Sequence, residues 1–197
     1  NMRIIVITPS DFVVDEALKI NRLFECGLDR LHLRKPDSGL GEVEALLQNI
    51  DPQYYSKIRI HDYFELAEKY SLGGVHLNRR NALYEGNLSK TRSCHTLEEL
   101  RYIEDYEYVF LSPVFNSISK YDYPSNFTEE ELLQAKEVGL INERVMALGG
   151  ISEANLKQVK SYGFGGIALL GSIWNGGDEI ENFLKIKNRL NELTAIK

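Results

Sequence analysis

Short apolar runs alternate with longer amphipathic segments along the whole chain. Residues 3–8 (RIIVIT) are β-branched and apolar, and residues 12–26 then carry apolar positions spaced as on one face of a helix. The pattern predicts strands at residues 3–8, 30–34, 57–61, 74–77, 91–95, 108–111, 144–148 and 166–170. It predicts helices at residues 12–26, 39–50, 63–70, 97–103, 128–138, 152–162 and 178–193, with a weak helical turn after residue 77.

The order of these elements indicates the fold class. A strict alternation of strand and helix predicts parallel strands joined by right-handed crossovers. Close to eight repeats favour closure into a barrel, because an open flavodoxin-like sheet has no place for the additional units. At 197 residues the chain is short for a barrel, so its loops must be tight. We therefore expect an α/β protein, a compact (β/α)8 TIM barrel that forms a single domain over residues 2–197.

Composition narrows the class of protein only a little. The chain has 23 Lys and Arg against 29 Asp and Glu, a net charge of −6, which argues against a nucleic-acid surface. Cys26 and Cys94 are too few for a disulfide framework and are expected to be reduced packing residues. No apolar run reaches the roughly 18 residues of a membrane span, and no signal peptide is recognisable. We expect a cytoplasmic protein.

Polar side chains stand at the carboxyl ends of the predicted strands, where barrel active sites lie. The positions are Arg34, His61 with Asp62, His76, Ser93 with His95, Ser112, Gly149 with Gly150, and Gly171 with Ser172. Successive side chains of a strand point to opposite faces. In residues 30–34 (RLHLR) we therefore expect His32 and Arg34 to point into the barrel and the two leucines to point toward the helices. A single interior histidine is more often a hydrogen-bonded core residue than a catalyst. All four histidines fall in or just after strands, which favours a chemical role for the group.

Two glycine-containing loops predict a phosphate site. Gly149-Gly150 follows the seventh predicted strand and Gly171-Ser172 follows the eighth, the positions at which phosphate-binding barrels hold their anion. Glycine suits such a site because a Cβ would block the close approach of the backbone to a phosphate. The alternative interpretation is that these are ordinary turn glycines.

The loop after the sixth predicted strand supplies further anion-binding groups. Within residues 112–120 (SPVFNSISK) stand Ser112, Ser117, Ser119 and Lys120. Hydroxyl groups, backbone N–H groups and an ammonium suit a phosphate or a pyrophosphate, although the same composition is typical of a polar surface loop. Together with the glycine loops, this loop predicts two phosphorylated reactants or one large one.

Several segments, taken in order, resemble the thiamin phosphate synthase superfamily, which also includes the thiazole tautomerases. They are HLRK (32–35), HDYFELA (61–67), GVHL (74–77), SCHTLEE (93–99), SPVFNSISK (112–120), ALGGI (147–151) and GIALLGSIW (166–174). The resemblance covers nearly the whole chain and implies a (β/α)8 barrel. It also implies a transferase of thiamin biosynthesis, which joins a hydroxymethyl-pyrimidine diphosphate to a thiazole phosphate and releases pyrophosphate.

The resemblance implies a role for each matching residue. The diphosphate would be held by Arg34, Ser117, Ser119 and Lys120, and the thiazole phosphate by Gly149, Gly150, Gly171 and Ser172. Asp62 would bind Mg²⁺, and Ser93 and Ser112 would contact substrate. We take Arg34, Lys120, His32 and His61 as the catalytic residues. The expected partners are small phosphorylated substrates, with no nucleic acid and no membrane, and a homodimer is left open.

This sequence departs from the family pattern at several positions, among them Pro36 in place of Lys and Ser117 and Ser119 in place of Thr. His32 and His61 stand where the synthases have Gln and Asn, and Asn81 replaces a second Mg²⁺-binding Asp, although a hard dication prefers carboxylate. Pro113 stands where the tautomerases are expected to have a catalytic histidine. Two alternatives therefore remain beside the synthase.

The first alternative is a metal-independent, tautomerase-like isomerase. Its acid and base would be drawn from the four histidines, whose ordinary pKa lies near working pH. They are His32, His61, His76 and His95. The second alternative is a barrel that binds a phosphate ester without catalysis.

Overall fold

The computed structural model describes residues 1–115 and 127–195. Eight parallel strands pair in sequence order, and the first pairs with the last, so that they form a closed barrel. The strands are β1 Arg3–Ile7, β2 Arg30–Leu33, β3 Ile58–Ile60, β4 Gly74–Leu77, β5 Ser89–Cys94, β6 Tyr108–Leu111, β7 Val145–Leu148 and β8 Gly166–Leu169. The expected (β/α)8 architecture is confirmed.

Helices cover the outside of the barrel. The α-helices are α1 Glu16–Glu25, α2 Leu40–Gln48, α3 Glu65–Lys69, α4 Glu129–Glu137, α5 Leu156–Ser161, α6 Gly171–Trp174 and α7 Glu179–Ala195. Short 3-10 helices occupy Pro52–Lys57, Glu98–Tyr102 and Glu153–Asn155. The weak helical turn expected after residue 77 is wrong, because residues 78–88 contain turns and irregular backbone but no helix.

Alternation along the strands separates two cores. Outward-facing residues such as Leu31 and Leu33 pack with the helices in one large apolar cluster, as the sequence predicted. The inward-facing residues divide by chemistry. Those of β1, β6, β7 and β8 form a small apolar cluster, whose members are Ile5, Ile7, Tyr108, Phe110, Met146 and Ala168. Those of β2 to β5 are mostly polar, so the barrel interior is polar on one side only.

A buried ion pair fixes the connection between β1 and α1. Lys35, which follows β2, donates to the carbonyl oxygens of Pro9 at 2.7 Å and Asp11 at 2.8 Å, and pairs with Glu16 at 2.8 Å. The side chains of Lys35 and Glu16 are 0% and 2% exposed. Because a charge this deep must be paired and hydrogen-bonded, the pair holds the loop against the barrel rim.

None of the helices in the two described ranges is both long and apolar enough to cross a bilayer.

Candidate active site

Three histidines from adjacent strands meet inside the barrel. His32 lies in β2, His61 follows β3 directly and His76 lies in β4, and all three are buried. Nδ1 of His32 is 2.8 Å from Nε2 of His61, and Nε2 of His32 is 2.6 Å from the hydroxyl oxygen of Tyr108. His32 thus links the polar side of the barrel to Tyr108 of β6, and the inward orientation expected for it is confirmed.

His76 extends this histidine cluster toward β5. Its Nδ1 lies 2.8 Å from Oγ1 of Thr91, and its Nε2 lies 3.3 Å from Oγ of Ser93. The rings of His61 and His76 stack with centroids 4.0 Å apart and planes 13° from parallel. The sequence placed Ser93 at the carboxyl end of its strand, and the structure brings its hydroxyl into this hydrogen-bonded group.

Burial keeps the three imidazoles neutral. It lowers the pKa of His32 and of His61 well below the ordinary value, and the neighbouring His76 lowers both further. Burial lowers the pKa of His76 to about 3, with the positive charges of Arg34 and Arg80 acting in the same direction. Desolvation also raises the pKa of the Tyr108 hydroxyl. The cluster is therefore uncharged near neutral pH.

Neutral imidazoles are also metal ligands, and one ring nitrogen from each of the three lies within 4.8 Å of the others. Both ring nitrogens of His32 are hydrogen-bonded, and Nδ1 of His76 is bonded to Thr91. A metal would have to break these contacts, since a nitrogen's single lone pair cannot serve two partners. The arrangement fits a hydrogen-bonded chain better than a metal centre.

Asp62, the residue for which the resemblance implies Mg²⁺, lies at the rim beside a guanidinium. Nε of Arg80 donates to Oδ1 of Asp62 at 3.0 Å, and Nη2 donates to Oδ2 at 3.2 Å. Nδ2 of Asn81 donates to the same Oδ1 at 3.1 Å and to the carbonyl oxygen of His61 at 3.0 Å. Because both of these partners are acceptors only, the amide nitrogen of Asn81 must face Asp62 and its oxygen must face away.

This set of donors does not fit Mg²⁺. The ion requires oxygen ligands in near-octahedral geometry and is usually held by one or two carboxylates. Here both oxygens of Asp62 already accept hydrogen bonds from cationic or amide nitrogens, and the second carboxylate of the family pattern is Asn81. A dication would also have to bind beside the positive charge of Arg80.

Arg34 joins this group from the end of β2. Its backbone N–H donates to Oγ1 of Thr8 at 2.9 Å, and its carbonyl oxygen accepts from the same hydroxyl at 3.2 Å. Burial lowers the pKa of Arg34, and Arg80 lowers it further, whereas Asp62 raises it. The guanidinium groups of Arg34 and Arg80 thus stand within electrostatic reach of each other, and the carboxylates of Asp62 and Asp37 stand within reach of Arg34. Two cationic groups therefore meet at this part of the rim.

The glycine loops lie across the barrel mouth from Asp62, since β7 is opposite β3 in the closed order. Gly149 and Gly150 have φ values of 103° and 66°. A Cβ on Gly149 would lie 2.7 Å from Cα of Pro113, so no other residue fits this close approach. Among the described residues, no backbone carbonyl accepts the N–H of either glycine. These two donors are available to an anion.

Ser172 completes the same side of the mouth. Its Oγ is buried and has no hydrogen-bond partner in the part of the chain that the structure describes. A buried hydroxyl without a partner is unfavourable unless a ligand or water supplies one. Gly171 begins α6 and places Ser172 in the first turn. The structure places both glycine loops at the same side of the mouth, and their binding of an anion stays a prediction.

The other predicted site residues lie away from the histidine cluster or outside the described residues. His95 is exposed and its Nδ1 lies 3.1 Å from the carbonyl oxygen of Ser112, so it is not brought to the other three histidines. Ser112 is half-buried at the end of β6. Ser117, Ser119 and Lys120 lie outside the described residues.

Two residues of the site were not singled out from the sequence. Tyr108 begins β6 on the same face as Phe110, and alternation from that strand would have placed it inside the barrel. No sequence pattern predicts the position of Arg80, because its contact with Asp62 depends on how the loop after β4 folds back.

Comparison with known proteins agrees with this geometry. Residues 4–173 match a family model described as thiamine monophosphate synthase. The thiamine-phosphate synthase of Escherichia coli O6:H1 is 31% identical over 179 residues, covering 84% of each chain. That of Photorhabdus laumondii is 29% identical over 178 residues, covering 84% of this chain and 82% of the relative.

Solved structures give the same result. The crystal structure of a thiamine phosphate pyrophosphorylase from Bacteroides thetaiotaomicron is 40% identical with a TM-score of 0.88, and the match covers 96% of this chain and 98% of that one. A thiamine phosphate pyrophosphorylase from Pyrococcus furiosus, 21% identical with a TM-score of 0.76, shares the fold over 98% of this chain and 96% of its own.

Proposed function

Because the chain belongs to the thiamine monophosphate synthase family, we propose that it is a transferase that joins a hydroxymethyl-pyrimidine diphosphate to a thiazole phosphate. The observation that supports the proposal is a pair of donor groups on opposite sides of one barrel mouth, each suited to an anion. One is built from Arg34 and Arg80, and the other from the Gly149-Gly150 loop and the unpartnered hydroxyl of Ser172. Two phosphorylated substrates need two such groups.

Departure of pyrophosphate is the step that the arginine side would assist. The bond between the pyrimidine methylene carbon and the bridging oxygen breaks, and its electron pair leaves with pyrophosphate. Cationic donors placed where that negative charge grows lower the barrier, because they interact more strongly with the product-like state than with the substrate. Arg34 and Lys120 are the residues we propose for this role, with Ser117 and Ser119 as further donors to the diphosphate.

The glycine side would position the nucleophile. A phosphate bound to the N–H groups of Gly149 and Gly150, the Gly171 turn and Ser172 Oγ would fix the thiazole over the barrel mouth. The thiazole nitrogen would then donate its lone pair to the methylene carbon and form the new C–N bond. This bond balances the one that broke, and no proton has to move. Fixing both reactants removes most of the entropic barrier to their encounter.

The histidine cluster would line the bottom of the site, inside the barrel. Neutral imidazoles suit a methylene carbon that becomes positive, because an imidazolium at the same place would repel it. His32 and His61 therefore act through their uncharged state, which burial enforces. Ser93 and Ser112 stand at the same rim and are proposed to contact the pyrimidine.

A tautomerase-like isomerase is the second candidate, and the same cluster favours it. His61 and His76 stack beneath the rim, and a neutral imidazole can accept a substrate proton, but the lowered pKa of both makes them weak bases. Such a reaction would move a proton on a thiazole carboxylate phosphate and would need no diphosphate. The Arg34 and Arg80 side of the mouth would then bind only the carboxylate of that substrate, which carries less negative charge than a diphosphate, and this makes the candidate the weaker of the two.

One pair of assays separates the two candidates. Pyrophosphate release is followed after mixing the protein with both phosphorylated precursors in the presence of Mg²⁺. Deuterium incorporation into the thiazole carboxylate phosphate is followed by NMR in D₂O. The transferase predicts pyrophosphate release only when both precursors are present, and loss of that release in Lys120→Ala. Deuterium exchange with no pyrophosphate release would favour the isomerase.

The cytoplasmic location stays a prediction, and so does the possible homodimer. Small-molecule substrates fit the family to which the chain belongs. The residues around Asp62 do not suit the Mg²⁺ that the resemblance implies, because both carboxylate oxygens already accept hydrogen bonds from Arg80 and Asn81.

A further inference from the structure

The guanidinium of Arg80 is hydrogen-bonded to the carboxylate of Asp62, the residue for which the family resemblance implies a metal ion. Arg80 and Asp62 meet through two hydrogen bonds, of 3.0 and 3.2 Å, which use both oxygens of the carboxylate. The side chain of Asp62 is only 10% exposed. A two-point pair of this kind fixes the direction of the guanidinium as well as its charge.

The loop that carries Arg80 is held in place by Asn78. Nδ2 of Asn78 donates to the carbonyl oxygens of His61 at 2.7 Å and His76 at 2.9 Å. Oδ1 of Asn78 accepts from the backbone N–H groups of Arg80 at 3.0 Å and Asn81 at 3.1 Å. Arg80 is thus tied through one side chain to the strand ends that carry two histidines of the cluster. Its position is built into the loop after β4.

Part of the Arg80 guanidinium stays available to a ligand. A guanidinium has five N–H groups, and the pair with Asp62 uses one on Nε and one on Nη2. The side chain is 37% exposed, and among the described residues its guanidinium makes no hydrogen bond other than those to Asp62. Arg34 is close enough for the charge of Arg80 to lower its pKa. The charges of Arg34 and Arg80 therefore act on the same part of the rim, which the ends of the adjacent strands β2 and β3 form.

The pair of Asp62 and Arg80 has the same net charge as the metal site that the resemblance implies. Two carboxylates and one dication sum to zero, and so do Asp62 and Arg80. We propose that Arg80, seated on Asp62, takes the place of the divalent cation in this chain and binds the diphosphate directly together with Arg34. The identification of the ligand as a substrate diphosphate rests on the proposed function. Arginine suits the role because its planar donors match two phosphate oxygens at once and its charge does not depend on pH.

Pyrophosphate binding tests the proposal without turnover. The whole chain, treated with EDTA, is titrated with inorganic pyrophosphate in a calorimeter, with and without added Mg²⁺. We expect an affinity that changes less than threefold when Mg²⁺ is present. Arg80→Gln should weaken binding at least tenfold. Arg79→Gln is the matched control, because Arg79 is the adjacent arginine, is also exposed and makes no hydrogen bond to Asp62 among the described residues; it should change the affinity less than threefold.

Manganese binding, read from the EPR signal of free Mn²⁺ without pyrophosphate, gives a second measurement. The wild-type chain should leave the signal unchanged at millimolar Mn²⁺. The double variant Arg80→Gln with Asn81→Asp frees one carboxylate and restores another, and it should bind Mn²⁺ at least tenfold more tightly. Stoichiometric Mn²⁺ binding by the wild type, or pyrophosphate binding that requires Mg²⁺, would overturn the proposal. Both results are obtained with the wild-type chain, so they do not depend on whether a variant folds.

These measurements also separate this proposal from the proposed reaction. Metal-free binding of pyrophosphate that is lost in Arg80→Gln supports the arginine site, even if no coupling is seen with Mg²⁺ supplied. That combination would overturn the coupling reaction alone. Coupling that occurs only with Mg²⁺, together with Mn²⁺ binding by the wild type, would overturn the arginine site alone.

Discussion

The imidazole rings of His61 and His76 lie 4.0 Å apart and nearly parallel inside the barrel. Two imidazolium ions at this separation would repel each other in a medium of low dielectric constant. The two rings therefore cannot both be charged, and burial, which lowers the pKa of both and of His32 bonded to His61, keeps all three neutral. Uncharged imidazoles stand at two positions, 32 and 61, where the resemblance leads us to expect Gln and Asn.

The histidine cluster should make stability depend on pH. The pKa of each of the three is lowered in the folded state, so between the folded and unfolded values the unfolded chain binds more protons. Stability is then fully present above pH about 6.5 and falls as pH decreases, by up to about 1.4 kcal/mol per pH unit for each histidine. Urea unfolding at pH 7.5, 6.5 and 5.5 measures this slope. The double variant His32→Gln with His61→Asn should show a shallower slope, and an unchanged slope would contradict the assignment.

Tyr108→Phe should destabilise the barrel. The substitution removes the hydroxyl 2.6 Å from Nε2 of His32 and leaves that buried nitrogen without its partner. We expect a loss of about 1–3 kcal/mol in the free energy of unfolding. Tyr102→Phe is the control, since Tyr102 is 65% exposed, and it should change stability by less than about 0.5 kcal/mol. Equal effects of the two substitutions would mean that the Tyr108–His32 bond adds nothing.

Gly149→Ala should damage both folding and phosphate binding. The added Cβ would meet Cα of Pro113 at 2.7 Å, in addition to the strain of a φ of 103°. Gly139→Ala isolates the strain, because Gly139 has a φ of 83° and nothing within 4 Å of an added Cβ. Strain alone should cost about 1–2 kcal/mol, and Gly149→Ala should cost more. Thiazole phosphate affinity, measured by calorimetry, should fall only in Gly149→Ala.

Ser172→Ala should weaken binding of the thiazole phosphate with no loss of stability. Because Ser172 Oγ has no partner among the described residues, removing it breaks no internal hydrogen bond. A hydrogen bond to a charged phosphate is worth about 1.5–3 kcal/mol, so affinity should fall about tenfold or more. Ser161→Ala removes an exposed hydroxyl elsewhere and should leave affinity unchanged. Unaltered affinity in Ser172→Ala would remove this residue from the site.

The sequence predicted the strands well because their signal is local. β4 and β6 have the bounds expected from their apolar runs, and alternation in β2 correctly turned His32 inward. The missing helix after β4 has a local cause too. That segment forms a turn in which Asn78 bonds the backbone of Arg80 and Asn81, a pattern that competes with helix formation.

The parts of the site that escaped prediction depend on distant contacts. The pair between Arg80 and Asp62 joins residues 18 positions apart and forms only because the loop after β4 returns to the end of β3. The bond between Tyr108 and His32 crosses the barrel from β6 to β2. Periodicity shows which face a residue occupies, but it does not show which partner it meets there.

Formation of the coupled product tests the central claim most directly. The protein is incubated with the hydroxymethyl-pyrimidine diphosphate and the thiazole phosphate, with Mg²⁺ supplied so that the result does not depend on the role of Arg80. Thiamin phosphate is measured by mass spectrometry and pyrophosphate by an enzymatic assay. The account predicts both products in equal amounts, and neither when one precursor is omitted. Absence of thiamin phosphate from folded protein that still binds the thiazole phosphate would contradict it.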